Sequence, residues 1–265
     1  MTVLPEMMTH RKLRLVALCC DVIREEVEHL MPACPHEVDL RLLDRDDYHN
    51  YPQRSRSKLQ AVVESVQDDG YDAILMGFAL CNRLLDGVSS PRTPMVIVRA
   101  HDCLTLLMGS RQRYMQRFTD EPGTYYYSAG WLQGGAEAPV QSVALPGLES
   151  MTYEDLVERY GEDNAEYLMK VCGGWKANYR KGVFINLPFY ASDAMRRQVQ
   201  QECTANGWEY GEIDGDLSLL RRWLYGQWES DDILIVPPGA AIRATGDDRI
   251  ICAGCVQEPA MEAAT

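Results

Sequence analysis

Thr93 to Ser110 reads TPMVIVRAHDCLTLLMGS, and the fold follows from it. Met95 to Val98 is a short apolar run rich in β-branched residues behind a proline, the pattern of a strand buried on both faces. His101, Asp102 and Cys103 then fall just past the strand end. In open α/β sheets that edge, beyond the carboxyl ends of the strands, is where reacting groups gather. Asp102 can cap a helical segment over Leu104 to Met108, which would place the sulfur of Cys103 in the first turn, where the positive end of the helix dipole favours a thiolate.

Working outward, the same alternation recurs on both sides. Leu13 to Cys20 (LRLVALCC) predicts the first strand, with Asp21 as N-cap of a helix whose Val22, Ile23, Val27 and Leu30 share an apolar face. Val38 to Leu43 predicts a second strand and Asp44 to Tyr51 a polar loop. Ser55 to Asp68 predicts a helix through Leu59, Val62, Val63 and Val66, stopped by Gly70. Tyr71 to Met76 predicts a third strand running into GFALCN, so Cys81 also lies past a strand end. The expectation is an α/β fold with a mostly parallel, Rossmann-like sheet and helices on both faces.

Downstream, RQRYMQRF predicts a short basic helix, and Glu121 to Trp131 (EPGTYYYSAGW) is turn chemistry around an aromatic cluster. That cluster serves either as a lid or pocket wall or as a hairpin that merely packs. Gln133 to Pro146, rich in Gly, Ala and Pro, is the expected boundary between two α/β lobes, 11–135 and 146–238, with a tail at 239–265. In the second lobe Thr152 to Lys170 is helical by pattern and GVFINLPF is a strand. Ser192 caps a helix closed by Gly207, and WEYGEI, a helix from Asp216 to Trp228, and DILIVPPG complete the series.

Composition bounds the function. The 265 residues are 46% hydrophobic, ample for a core, and the formal charge of -13 argues against a nucleic-acid backbone as partner. No apolar run approaches the length of a membrane span, and nothing at the N-terminus reads as a signal peptide, so a cytoplasmic location is expected. The nine cysteines are then ligands, nucleophiles or core rather than a disulfide frame.

Cys20, Cys81 and Cys103 fall on three separate strand ends, with His101 two residues from the last. If the strands are parallel neighbours, these groups converge on one rim. Three thiolates, or thiolates with an imidazole, select a borderline-soft ion such as zinc and leave a position open for substrate. Each cysteine taken alone is as readily a small core hydrophobe. Asp102 is a cap or a group that holds His101. Cys252 and Cys255 form a CxxC that lacks both a βαβ start and a second pair, and Cys34, Cys172 and Cys203 read as structural.

CDVIREEV at Cys20, GFALCN at Cys81, VRAHDCLTLLMGSRQRY around Cys103 and PGTYYYSAGW together resemble the family called domain of unknown function 1638, in one order over most of Leu15 to Pro238. That resemblance implies a setting in corrinoid-dependent one-carbon metabolism. The corresponding expectation is a zinc-dependent methyltransferase. Cys20, Cys81, Cys103 and His101 would be metal ligands, and Cys103, His101 and Asp102 the catalytic groups. The methyl group would pass between a corrinoid carried by a partner protein and a small-molecule acceptor or donor. Arg99, Ser110, Arg113, Tyr114 and Trp131 are the expected substrate contacts, the arginines for an anionic group. The alternative is a non-catalytic accessory module that binds a metal or a corrinoid protein.

Overall fold

The computed structural model describes residues 11–49, 52–67, 69–81, 83–133 and 178–254, together with 157–158, 161–162, 164 and 176. The chain divides into two compact units, Met1–Leu106 with Ser218–Thr265, and Leu107–Leu217. The boundary expected near Gln133 to Pro146, most of the helix expected at 152–170 and Cys172 lie outside the described residues.

In the first unit, β1 (Arg14–Cys20), β2 (Glu37–Leu43), β3 (Ala73–Gly77) and β4 (Met95–Val98) are parallel, and β8 (Ile233–Val236) runs antiparallel along β4, in the order β2-β1-β3-β4-β8. The fold is thus α/β with a mostly parallel sheet. β3 and β4 are buried at every residue, and β1 over nearly all of its length, which is why they read as continuous apolar runs. β2 is an edge strand and only partly buried.

Helix α1 (Arg24–Leu30) follows β1 after a 3-10 turn at Asp21–Ile23. The expected N-cap at Asp21 is not formed: its Oδ1 accepts instead from the amide of Arg45 at 3.0 Å, a donor distant in sequence that outcompetes the local one. The segment expected as a loop at Asp44 to Tyr51 contains a short helix, α2 (Arg45–His49), and α3 (Pro52–Ser65) follows. α3 buries Leu59 and Val63, with Val66 just beyond its end, against a core built from Val16, Leu18, Ile74, Met76 and Ile97. β4 leads into α4 (Leu104–Leu107).

The helix expected over Asp216 to Trp228 is shorter, α8 (Ser218–Leu224), and it and β8 belong to this first unit. Trp223 is fully buried, and its indole N–H donates to the carbonyl of Val96 at 3.0 Å, fixing α8 on β4. A two-stranded ribbon, β9 (Ile242–Ala244) with β10 (Ile251–Ala253), completes the unit.

The second unit holds a parallel sheet, β5 (Thr124–Tyr127), β6 (Lys181–Asn186) and β7 (Glu209–Asp214), in that order, with α5 (Arg111–Asp120), α6 (Ala129–Gln133) and α7 (Asp193–Asn206). Ser192 caps α7 as expected, its hydroxyl accepting from the Met195 amide. The aromatic segment is not a hairpin. Its tyrosines form a strand parallel to β6, and Tyr125 and Tyr127 pack with Phe184, Val199, Cys203 and Trp208, so the packing reading holds for them. Cys203 is core, as expected.

Candidate functional site at the carboxyl edge of the first sheet

The strand order places a topological switch between β1 and β3. The connection from β1 leads to β2 on one side, and that from β3 leads to β4 on the other, so the two leave a crevice at the carboxyl ends, the usual ligand position in such sheets. Cys20 ends β1. Cys19, its neighbour, is buried and pairs with Gly77 at the end of β3. A Cβ on Gly77 would lie 2.4 Å from the Cys19 sulfur, so only glycine lets the two strands close here.

Past β3 the chain keeps company with the end of β4: the Leu80 amide donates to the Ala100 carbonyl at 2.9 Å and the Cys81 amide to the His101 carbonyl at 3.1 Å. Cys81 has a φ of +39° and Arg83 one of +66°, left-handed conformations that ordinary side chains avoid. Backbone strain of this kind costs on the order of 1–3 kcal/mol per residue and gathers at functional edges.

Cys20 acts on Cys81. Burial pushes Cys81 up to about 12, and the nearby Cys20 and Asp102 push in the same direction. Cys20 is also pushed up to about 12, again chiefly by burial. The Val22 amide and the Arg45 guanidinium oppose that shift, and Asp21 adds to it. Both residues keep part of their surface exposed while packing on the core, and both are free and protonated at neutral pH. The edge therefore assembles Cys20, Cys81 and Asp102 within one electrostatic neighbourhood, with the buried Arg45 beside Cys20.

The remaining expected groups lie as follows. Asp102 is the cap of α4, Oδ1 accepting from the Leu104 amide at 3.0 Å, and Cys103 is a partly exposed cysteine just before that helix. His101 is exposed, and its carbonyl rather than its ring holds Cys81. Among the described residues, no group of three or more His, Cys, Asp or Glu side chains is placed to hold a metal ion. The thiol pair offers two soft donors, short of the three or four protein ligands of a zinc centre.

Arg99 is engaged by backbone: its Nη1 donates to the Arg249 carbonyl at 3.0 Å and to that of Ile251, which anchors β10. In the second unit, Ser110 caps α5 by accepting from the Arg113 amide, and the Arg113 guanidinium donates to the Asp214 carbonyl at 2.7 Å. Tyr114 stacks on Phe118, and Trp131 is buried in α6. Cys252 is disulfide-bonded, and Cys255 lies outside the described residues. No helix among the described residues is long and apolar enough to cross a membrane.

Two residues of the first unit escape a reading of the sequence. Arg45 sits in a stretch too short and polar to register as a helix. Glu26 is fully buried on α1, with neither carboxylate oxygen hydrogen-bonded to another residue, and burial pushes it up to about 7. A signal for Glu26 was present, because it falls four residues after Val22 and four before Leu30, on the apolar face.

The model of the family described as "Protein of unknown function (DUF1638)" matches residues 45–224. The chain belongs to this family. The stretch shared with DUF1638 contains Arg45, Cys81, His101, Asp102 and Cys103 and the whole second unit, while Cys20 and the strands β8 to β10 fall outside it. Searches of the curated proteins and of the solved structures found no match.

Proposed function

We propose that the crevice between β1 and β3 is the working site of this chain, and that it handles a methyl donor or acceptor of corrinoid-linked one-carbon metabolism. The observation that carries the site is the placement of Cys20 at the end of β1 and of Cys81 just past β3, the two neighbouring strands that flank the switch. In this reading the sheet is Rossmann-like with helices on both faces, and the second unit is a separate α/β lobe. The methyl chemistry comes from the family resemblance.

The residues set limits on that chemistry. Thiols pushed up to about 12 are not nucleophiles at neutral pH, so reaction at either sulfur needs a positive group that displaces its proton. Arg45 acts in that direction on Cys20. Zinc, once bound by thiols, would do the same, but Cys20 and Cys81 would fill only two of its positions. Protonated thiols at a crevice equally favour the accessory reading, in which the chain holds a methyl carrier or its protein without transforming it.

The test is turnover with methylcobalamin as donor and small thiols as acceptors, followed by mass spectrometry of the product. Metal content of the same protein, purified without oxygen or chelator, is measured in parallel. The native protein should transfer methyl groups, and Cys20→Ser and Cys81→Ser variants of unchanged circular dichroism should not. Binding of methylcobalamin without turnover selects the accessory reading. Absence of both binding and turnover would refute the proposal.

A further inference from the structure

We propose that His36 is a neutral-state clasp, closed when its ring is uncharged and released by acid. All of its partners lie in the first unit. The Leu13 amide, just before β1, donates to His36 Nδ1 at 3.3 Å, while Nε2 lies 3.2 Å from the Tyr225 carbonyl, just after α8. An amide can only donate and a carbonyl can only accept. The ring therefore carries its proton on Nε2 and a lone pair on Nδ1, the one tautomer that satisfies both neighbours.

Further contacts hold the same junction. The Tyr225 hydroxyl donates to the Leu30 carbonyl at 2.8 Å, and the Cys34 thiol lies 3.5 Å from the Leu224 carbonyl. Gly226, at a φ of +76°, lets the chain pass against the ring: a Cβ there would lie 2.5 Å from Nε2. The chain between α1 and β2 is thereby tied to the end of α8, the helix whose Trp223 is bonded to β4.

Protonation puts a hydrogen on Nδ1, facing the hydrogen of the Leu13 amide, so one contact turns from attractive to repulsive. Leu13 is buried, and water does not readily replace the lost acceptor. The charged groups around the ring do not rescue the cation. Burial lowers His36 from its ordinary value of 6.5, against opposing contributions from the Tyr225 carbonyl and Asp72. Asp72 is already engaged by Arg11 and by the Arg14 amide, and Glu37 by Lys12. On the α8 side the charge acting on Tyr225 is Arg221, itself a cation, and burial keeps both the tyrosine and the Cys34 thiol neutral.

Because the folded value is depressed, the clasp is fully effective above 6.5 and is lost as pH falls toward the folded value. Proton-linked opening then grows about tenfold per pH unit across that window. The experiment is NMR on the full chain: ring-nitrogen chemical shifts of His36 against pH, with hydrogen exchange at Leu13 and at 222–224, corrected for intrinsic rates, between pH 7.5 and pH 5. The expected result is an Nε2–H tautomer titrating below 6.5, with protection at Leu13 falling from pH 6.5 down to the ring's own titration. A His36→Asn variant should show exchange at Leu13 that no longer varies with pH. If that variant does not fold, Gly226→Ala, which crowds the ring, should expose Leu13 already at pH 7.5. An Nδ1–H tautomer, a titration at or above 6.5, or unchanged Leu13 protection through the titration would overturn the proposal.

Discussion

Replacing Glu26 by Gln tests whether the protein buries an uncompensated carboxyl group. Glu26 has no exposed surface and no hydrogen-bond partner on another residue, and burial raises it from 4.5 to about 7, its own backbone amide opposing the shift and Glu25 adding to it. The folded chain therefore holds a proton that the unfolded chain gives up. Stability is fully present below 4.5 and falls as pH rises through 7, to a total loss of about 3 kcal/mol at 1.36 kcal/mol per pKa unit. The amide of Gln has nearly the same shape and does not titrate. Urea unfolding followed by tryptophan fluorescence is suitable, because Trp223 and Trp228 are both buried in the same unit as Glu26. Between pH 5 and pH 8 the stability of the Glu26→Gln variant relative to the wild type should rise by about 2.5 kcal/mol. The absolute difference at pH 5 decides nothing, since Gln buries an unpaired amide in place of an unpaired acid. Parallel pH profiles for the two proteins would refute the reasoning, because they would mean that Glu26 is charged or hydrated in the native state.

Two further outcomes follow from the sheet edge. Native Cys20 and Cys81 should resist iodoacetamide at pH 7.5 and label roughly tenfold faster per unit of pH above it, whereas in urea they should react as ordinary thiols; rapid native labelling, read by peptide mass spectrometry, would show an ionised pair instead. Gly77→Ala would drive a methyl group to within 2.4 Å of the Cys19 sulfur and 3.0 Å of its Cα, and since that backbone belongs to a paired strand it cannot yield. The expected cost is about 1–3 kcal/mol in thermal or urea unfolding, and a variant as stable as the wild type would mean that β1 and β3 are not in this register.

The parts of the fold that depend on local pattern were legible. Leu15 to Cys19, Ile74 to Met76 and Met95 to Val98 are apolar because both faces of a parallel strand are covered, and Asp102 and Ser192 announce helices through side chains that cap their amides, whereas Ser110, read as a substrate contact, caps α5. What failed required knowledge of distant partners. Asp21 has the chemistry of a cap, but the amide of Arg45 competes for it. Ile233 to Val236 looks like any buried strand, and nothing in ILIV tells it to turn antiparallel and join β4 rather than extend the second sheet. Its placement is set by Trp223, whose indole finds its acceptor on Val96.

The candidate site divides along the same line. Cys20 reaches this edge by ending β1, whereas Cys81 lies four residues past β3 and is held there by the bonds of the Leu80 and Cys81 amides to the Ala100 and His101 carbonyls. Cys103 and His101 depend on how the chain leaves β4, and there the capping of α4 by Asp102 fixes a local geometry that ligand-counting ignores. His101 spends its carbonyl on Cys81 and leaves its ring exposed. Of the groups that act on these thiols, Asp21 and the buried Arg45 on Cys20 and Asp102 on Cys81, Arg45 is the most informative. A guanidinium that remains charged at every accessible pH can stabilise a thiolate or an anionic ligand, but it repels a bare metal cation. Occupation of the crevice by an anionic molecule and occupation by a metal therefore place opposite demands on one residue. An Arg45→Met variant should weaken an anion and spare or strengthen a metal, and that sign separates the two chemistries at the Cys20–Cys81 edge.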